Sequence, residues 1–262
     1  MPAKGEKYFF ISSLAKGIKT LELLAEEEKL SVSDVAKYQG FNRAGSHRLL
    51  ATLKDLGYVE QNESNKYQLT SKLFELGFKY ANRFEIRKVA HPYMEELSKT
   101  FKETVNLGLF DSNEILHLDK INSPEILRID SPLGSRAPAY CTALGKAILS
   151  ILPPNELNAY ISKVKLRRHG PNTITSKKQL RMELEKTLKT GVAIDNEEFA
   201  TGLCCIASPV LNHTARAPYA ISLSAPAIRF TSERIDKIQP VIKTICRRLS
   251  EKLGNTTQQN DR

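Results

Sequence analysis

Asn42, Arg43, Ala44, Gly45, Ser46, His47 and Arg48 bring together side chains of the kind that read a nucleic acid. A guanidinium can fork to a guanine edge or clamp a phosphate, and small residues such as Gly45 and Ser46 let a helix approach closely. Such a cluster works only if it opens a helix. Asn42 has a short side chain that accepts from orphan N–H groups, and Leu49, Leu53 and Leu56 follow at helical spacing until Gly57 closes the run. Upstream, Ser31 and Asp34 form a capping pair for a short helix through Ala36 and Tyr38, which Gly40 breaks. Downstream, residues 58–61 and 66–70 suit two strands joined by the polar turn 62–65. Two helices across a tight turn and then a β-wing predict a winged helix-turn-helix with the Asn42 helix in the major groove. An amphipathic helical hairpin alone also serves as a packing module; the wing favours DNA.

Further elements must hold this reader. Leu14, Ile18 and Leu21 share a helical face before it, on a first helix ending in the acidic run of Glu26, Glu27 and Glu28. After it, Thr70 can cap a helix from about residue 71 to residue 83. Leu73, Leu76, Tyr80 and Phe84 lie near one stripe of that helix, with Phe74 and Phe78 beside it. That is too much apolar surface for a solvated tether, so a linker packed against a partner subunit is expected.

The pattern changes at Glu85. A helix over residues 86–101 would bury Val89, Tyr93 and Leu97 and bend or restart at Pro92. Strands are expected at 104–110 and 115–121 about the turn 111–114, then at 126–130. Helices follow at 142–152, 154–162 and 177–190, the last capped by Ser176 and stopped by Gly191. Strands at 203–211 and 219–225 return to the sheet, and a helix at 232–253 repeats Ile235, Ile238, Ile242, Ile245 and Leu249 on one face. This order predicts an antiparallel α+β domain whose sheet can cup a small ligand.

Composition agrees without deciding the matter. A chain of 262 residues, 41% hydrophobic, can bury a real core in two domains. The net charge of +10 favours a polyanionic partner, yet residues 1–84 carry 13 Lys+Arg against 10 Asp+Glu. Residues 163–189, outside the winged segment, hold nine basic and two acidic residues. No stretch approaches a membrane span and the N-terminus is charged, so a cytoplasmic protein with no membrane partner is expected. Cys141, Cys204, Cys205 and Cys246 make no Cys-x-x-Cys pair, which points to reduced thiols.

Two chemistries compete with DNA reading. Cys204 or Cys205 with His169 or His213 and Asp195 has the composition of a cysteine hydrolase, although an apolar strand around Cys205 suits a core residue better. His117, Asp195, Glu197 and Cys205 offer mixed ligands for zinc, without a signature spacing. An architectural DNA protein with no ligand is a third alternative.

Six blocks now carry a resemblance that spans almost the whole chain: residues 13–18 (SLAKGI), 47–53 (HRLLATL), 56–59 (LGYV), 103–107 (ETVNL), 143–147 (ALGKA) and 191–198 (GVAIDNEE). The chain resembles the IclR family of bacterial transcription regulators. That resemblance implies an α+β protein with a winged helix-turn-helix at 1–70, a linker and dimerisation helix at 71–84, and a GAF-like effector-binding domain at 85–262. It implies a double-stranded DNA operator and a homodimer, or a tetramer on DNA, as partners, with no catalysis and no cofactor. The effector residues it implies are Ala143, Leu144 and Gly145, then Asp195, Cys205, Ser222 and Ser224, with Ile129, Ala137 and Leu203 as an apolar wall. Ser222 and Ser224 at i and i+2 face one side of a strand, and free N–H groups at the helix start would take the carboxylate of an organic acid while Asp195 accepts from its hydroxyl. The chain departs from the family pattern at Ala44, Gly45 and Ser46, where a Ser-Thr pair is common, and at the bulky Leu144. Residues 66–77 and 173–176 are similar to regulators that respond to 2-keto-3-deoxygluconate.

Overall fold

The computed structural model describes residues 10–81, 85–214 and 216–255 and divides into two compact units, Met1–Arg83 and Phe84–Arg262. The N-terminal unit holds α1 (Ser12–Glu26), α2 (Val32–Gln39), α3 (Arg43–Asp55), β1 (Val59–Gln61), β2 (Tyr67–Leu69) and α4 (Lys72–Ala81). Local chemistry sets its boundaries. Ser31 Oγ accepts from Asp34 N–H at 3.2 Å while Asp34 Oδ2 accepts from Ser31 N–H at 2.9 Å, a reciprocal capping box. Gly40 ends α2 at φ +65°, a conformation that a Cβ disfavours. In the wing, Asn62 Oδ1 accepts from the N–H groups of Ser64 and Lys66, and the antiparallel pair β1–β2 closes above it.

The buried faces of two helices differ from the expected ones. In α3 the core residues are Ser46, Leu50 and Leu53, with Leu49 half-buried and Leu56 exposed. In α1 they are Thr20 and Leu24, with Leu21 half-buried against them as expected, while Leu14 and Ile18 are 60% and 50% exposed. Gln39 Nε2 donates to Thr20 Oγ1 at 3.1 Å, so a buried polar contact turns α1 toward α2 by a stripe that the apolar periodicity does not mark. In α4, Leu73 is half-buried and Phe74 and Leu76 are exposed; the side chains of Phe78, Tyr80 and Phe84 lie outside the described residues.

The C-terminal unit holds α5 (Glu85–Phe101), β3 (Thr104–Asp111), β4 (Glu114–Ile121), β5 (Arg136–Pro138), α6 (Ala143–Leu149), α7 (Pro154–Lys163), α8 (Lys177–Thr190), β6 (Ala193–Asn196), β7 (Leu203–Val210), β8 (Tyr219–Pro226) and α9 (Ser232–Lys252). Its six strands form one antiparallel sheet in the order β5-β4-β3-β8-β7-β6. Because successive strand residues face opposite sides, each strand feeds two cores. Val105, Leu107, Ile206, Ile221 and Leu223 pack with Ile86, Ala90, Met94 and Leu97 of α5 and with Ile238, Ile242, Ile245 and Leu249 of α9. Ala193, Cys205, Ala207 and Ala220 pack on the other side with Leu144, Ala147 and Ile148 of α6 and with Leu180 and Leu184 of α8.

The stripe of α5 is Ile86, Ala90, Met94 and Leu97, with Val89 and Tyr93 only half-buried, and the helix runs unbroken through Pro92. Residues 126–130 form no strand: Ile126 is fully exposed, and the carbonyls of Leu127 and Ile129 accept from the side chains of Arg229 and Thr104. The short strands β5 and β6 were not anticipated. Ser176 precedes α8 without a side-chain cap, whereas Gly191 ends it at φ +73°.

Candidate functional site

The start of α3 is exposed at Asn42, Arg43, Ala44, His47 and Arg48. Asn42 Oδ1 accepts from Gly45 N–H at 2.7 Å, which fixes the helix start. A Cβ on Gly45 would come within 2.9 Å of that oxygen, so the glycine serves the cap as well as any close approach to DNA. Ser46 departs from its expected role: it is fully buried, and its hydroxyl donates to Asn42 O at 3.2 Å. Neither Arg43 nor Arg48 makes an ion pair among the described residues, which leaves two guanidinium groups available to an anion.

The second site is a cavity of about 40 Å³ between the sheet and α6. Cross-strand register builds it. Asp195 of β6 lies opposite Cys205 of β7, Cys205 lies opposite Ser224 of β8, and Ser222 lies opposite Asn106 of β3. Asp195, Cys205, Ser222 and Ser224 line the cavity together with Ala143 and Leu144 from α6 and with Ile129, Ala137 and Leu203. Gly145 does not: its N–H donates to Thr142 Oγ1 at 3.2 Å, and a Cβ there would fall 2.1 Å from Ala139 O. Gly145 is thus a packing residue, and its amide is not free for a carboxylate.

Asn106, Ser131, Thr142 and Phe199 also line the cavity and were missed, and His117, which the sequence offered only as a zinc ligand, lines it too. Strand alternation held the signal for Asn106, since it sits between Val105 and Leu107, which face the opposite core. Its amide donates to Ser224 Oγ at 3.2 Å, and Ser224 Oγ also meets Cys205 Sγ at 3.1 Å. Three buried polar atoms of lining residues have no partner among the described residues: Asp195 Oδ2, Asn106 Oδ1 and His117 Nδ1. Burial, with a smaller push from Lys120, lowers His117 to about 4, so the imidazole is neutral. Burial raises Asp195 to about 7, with the nearby Glu198 carboxylate adding to the rise.

A buried ion cluster sets the turn that carries Asp195. Asp195 Oδ1 accepts from the N–H groups of Glu198 at 2.8 Å and Phe199 at 3.3 Å. Lys146 is fully buried, and its ammonium donates to the Glu198 carboxylate, to Glu183 at 3.1 Å and to Ile194 O at 2.5 Å. The loop before α8 closes on the same turn through Thr173 Oγ1 to Glu198 O at 2.5 Å.

The competing chemistries lack their parts. Burial raises the Cys205 thiol well above its ordinary value and Cys204 to about 11, and neither sulfur hydrogen-bonds a histidine among the described residues. Glu197 turns to Gly202 N–H at 2.7 Å, and the described residues contain no cluster of three or more metal-ligating side chains.

Residues 13–63 match the IclR helix-turn-helix domain, and residues 78–251 match the bacterial transcriptional regulator IclR C-terminal family. The transcriptional regulator KdgR of Escherichia coli is 36% identical over 93% of this chain and 93% of its own length. KipR of Bacillus subtilis is 30% identical over 93% of this chain and 98% of its own. The crystal structure of the Thermotoga maritima IclR is 33% identical, with a TM-score of 0.81 over 94% of this chain and all of that one. These relatives are transcriptional regulators and not enzymes. Among the described residues no helix is long and apolar enough to cross a membrane. Winged head, antiparallel sheet and matched relatives together place the chain in the IclR family of DNA-binding bacterial transcription regulators.

Proposed function

We propose that the chain is a cytoplasmic, homodimeric repressor whose α3 helices enter the major grooves of a palindromic operator and whose grip is altered by a small organic acid in the C-terminal cavity. The observation that carries the ligand half is the convergence of three unpartnered buried polar atoms, on Asp195, Asn106 and His117, upon one cavity. Buried polar groups are nearly always satisfied, so such a set suits a polar ligand. Support for the DNA half comes from the unpaired Arg43 and Arg48 at a capped helix start followed by a wing. The dimer reading is supported by α4, where Leu76 stands half exposed on an apolar stripe, and by the weak base reading of a single head. No metal or cofactor enters the proposal, and two dimers on one operator would give a tetramer.

The cavity has room for about three waters at roughly 10–15 Å³ each. An acid of pyruvate size or larger therefore displaces wall residues, Leu144 among them, and such a displacement is what lets a ligand favour one conformation over another. The likeness of residues 66–77 and 173–176 to regulators responding to 2-keto-3-deoxygluconate supports a sugar acid as the effector. A calorimetric screen of pyruvate, glyoxylate and 2-keto-3-deoxygluconate tests this, and silence from all three would sink the ligand half.

Two mutational results are expected. Arg43→Ala and Arg48→Ala should each weaken operator binding, by roughly 1–3 kcal/mol where the arginine contacts a base. In an electrophoretic titration, a double variant that binds like the wild type would remove α3 from the groove. Leu76→Glu should yield monomers by light scattering and lose the operator complex; an unaltered dimer would put the interface elsewhere.

A further inference from the structure

The charges around the cavity constrain what can enter it, given that the cavity is the effector site. Among the described residues no lysine or arginine lines it. Lys120 on β4, whose charge reaches His117, is paired with Asp130, and Lys146 spends its three N–H donors on Glu183, Glu198 and Ile194 O, so neither is left for a ligand. Glu183 from α8 and Glu198 from the turn after β6 therefore set two carboxylates against one ammonium behind the wall. The thiols of Cys141 before α6 and Cys205 on β7 lie near Asp195 and are neutral, and His117 on β4 is uncharged. Among the described residues Asp195 is thus the one lining group that can carry a charge near neutral pH, and its ionised form is negative. Its Oδ1 is occupied by two backbone N–H groups, while Oδ2 has no partner.

An ionised organic acid placed there would set a second carboxylate against Asp195 with no cation between them. Two carboxylates in one buried site hold a proton between them. We infer that the effector binds as an anion together with one proton from solvent, which settles on Asp195 Oδ2 and is donated to the ligand carboxylate. Asp195 then acts as a hydrogen-bond donor, the reverse of the acceptor role expected from the sequence, and the neutral hydroxyls of Ser222 and Ser224 supply the other contacts. Burial already brings the Asp195 carboxyl to about 7, so the protonated form is within reach at neutral pH.

Calorimetry of the full chain tests this with pyruvate and 2-keto-3-deoxygluconate, each titrated near pH 8 in phosphate and in Tris, whose ionisation heats differ. The observed heat should depend on the buffer with a slope approaching one proton taken up per site. Affinity should fall about tenfold per pH unit between roughly pH 7.5 and 8.5 and level off below about pH 6. Asp195→Asn, which keeps the acceptor for Glu198 and Phe199 N–H and presents an N–H to the cavity, should bind near pH 8 at least as tightly as the wild type, without proton uptake or pH slope. Buffer-independent heat with flat affinity in the wild type would overturn the inference and leave the effector reading intact. So would an Asp195→Asn protein that melts like the wild type yet binds more than about tenfold more weakly near pH 6. No heat from any acid between about pH 5.5 and 8.5 would instead overturn the effector reading, and this inference with it.

Discussion

Lys146→Met should destabilise the C-terminal unit by about 3–5 kcal/mol near pH 8, because it leaves the carboxylates of Glu198 and Glu183 without their cation. Lys146 is fully buried, and the Glu198 side chain is 8% exposed, so water cannot replace the lost partner. The chain has no tryptophan, and unfolding in urea is best followed by circular dichroism. Burial holds the Glu198 carboxyl above its ordinary value, so protonation should relieve part of the loss as the pH is lowered. Adding Glu183→Gln and Glu198→Gln to the lysine variant should recover much of the stability, since the penalty comes from the unpaired charges more than from the missing ammonium. A single variant within about 0.5 kcal/mol of the wild type near pH 8 would contradict this account. The effect should also reach the cavity, because the Glu198 N–H holds Asp195 Oδ1 and Lys146 holds Ile194 O one residue away.

What could be read from the sequence was mostly short-range hydrogen-bond chemistry. The Ser31–Asp34 capping box, the left-handed Gly40, the Asn42 cap and the Asn62 turn each follow from residues within four positions of one another, and each is present. Which face of a helix turns inward was less legible. Leu14 and Ile18 mark an apolar stripe on α1, yet the helix packs through Thr20 and Leu24, because Gln39 on another helix finds Thr20 and no local pattern encodes that meeting. The expected strand at 126–130 failed for a related reason: distant Arg229 and Thr104 satisfy its carbonyls, leaving no ladder to join. At the cavity, the family resemblance singled out Asp195, Cys205, Ser222 and Ser224, and register explains their meeting on three adjacent strands. That Gly145 is occupied with Thr142 and Ala139 was not legible, because a helix start looks free until its cap is seen. Nor could Ser46 be known as a core residue, since its hydroxyl is satisfied by the backbone of its own helix.

Asp195→Asn should change how stability depends on pH, even with no ligand present. In the folded chain the Asp195 carboxyl is raised from an ordinary 3.8 to about 7, chiefly by burial, with the Glu198 charge adding to it. Between about pH 4 and pH 7 the native state therefore keeps a proton that the unfolded chain has released. Stability falls as pH rises through that window, by on the order of 4 kcal/mol in all, and stays low above it. Asparagine at the same position cannot ionise, while its carbonyl can still accept from the N–H groups of Glu198 and Phe199. Relative to the wild type, the variant should gain stability steadily from about pH 4 to pH 7 and then hold a constant advantage. Urea titrations at four or five pH values across that range measure the difference directly, and a difference that does not change with pH would show that Asp195 ionises in the fold as it does in water. A strongly perturbed carboxyl beside a cavity is the pattern expected of a binding site. Its ionised form is costly to bury, and its protonated form is a donor ready for an anion that the wall could not otherwise accept.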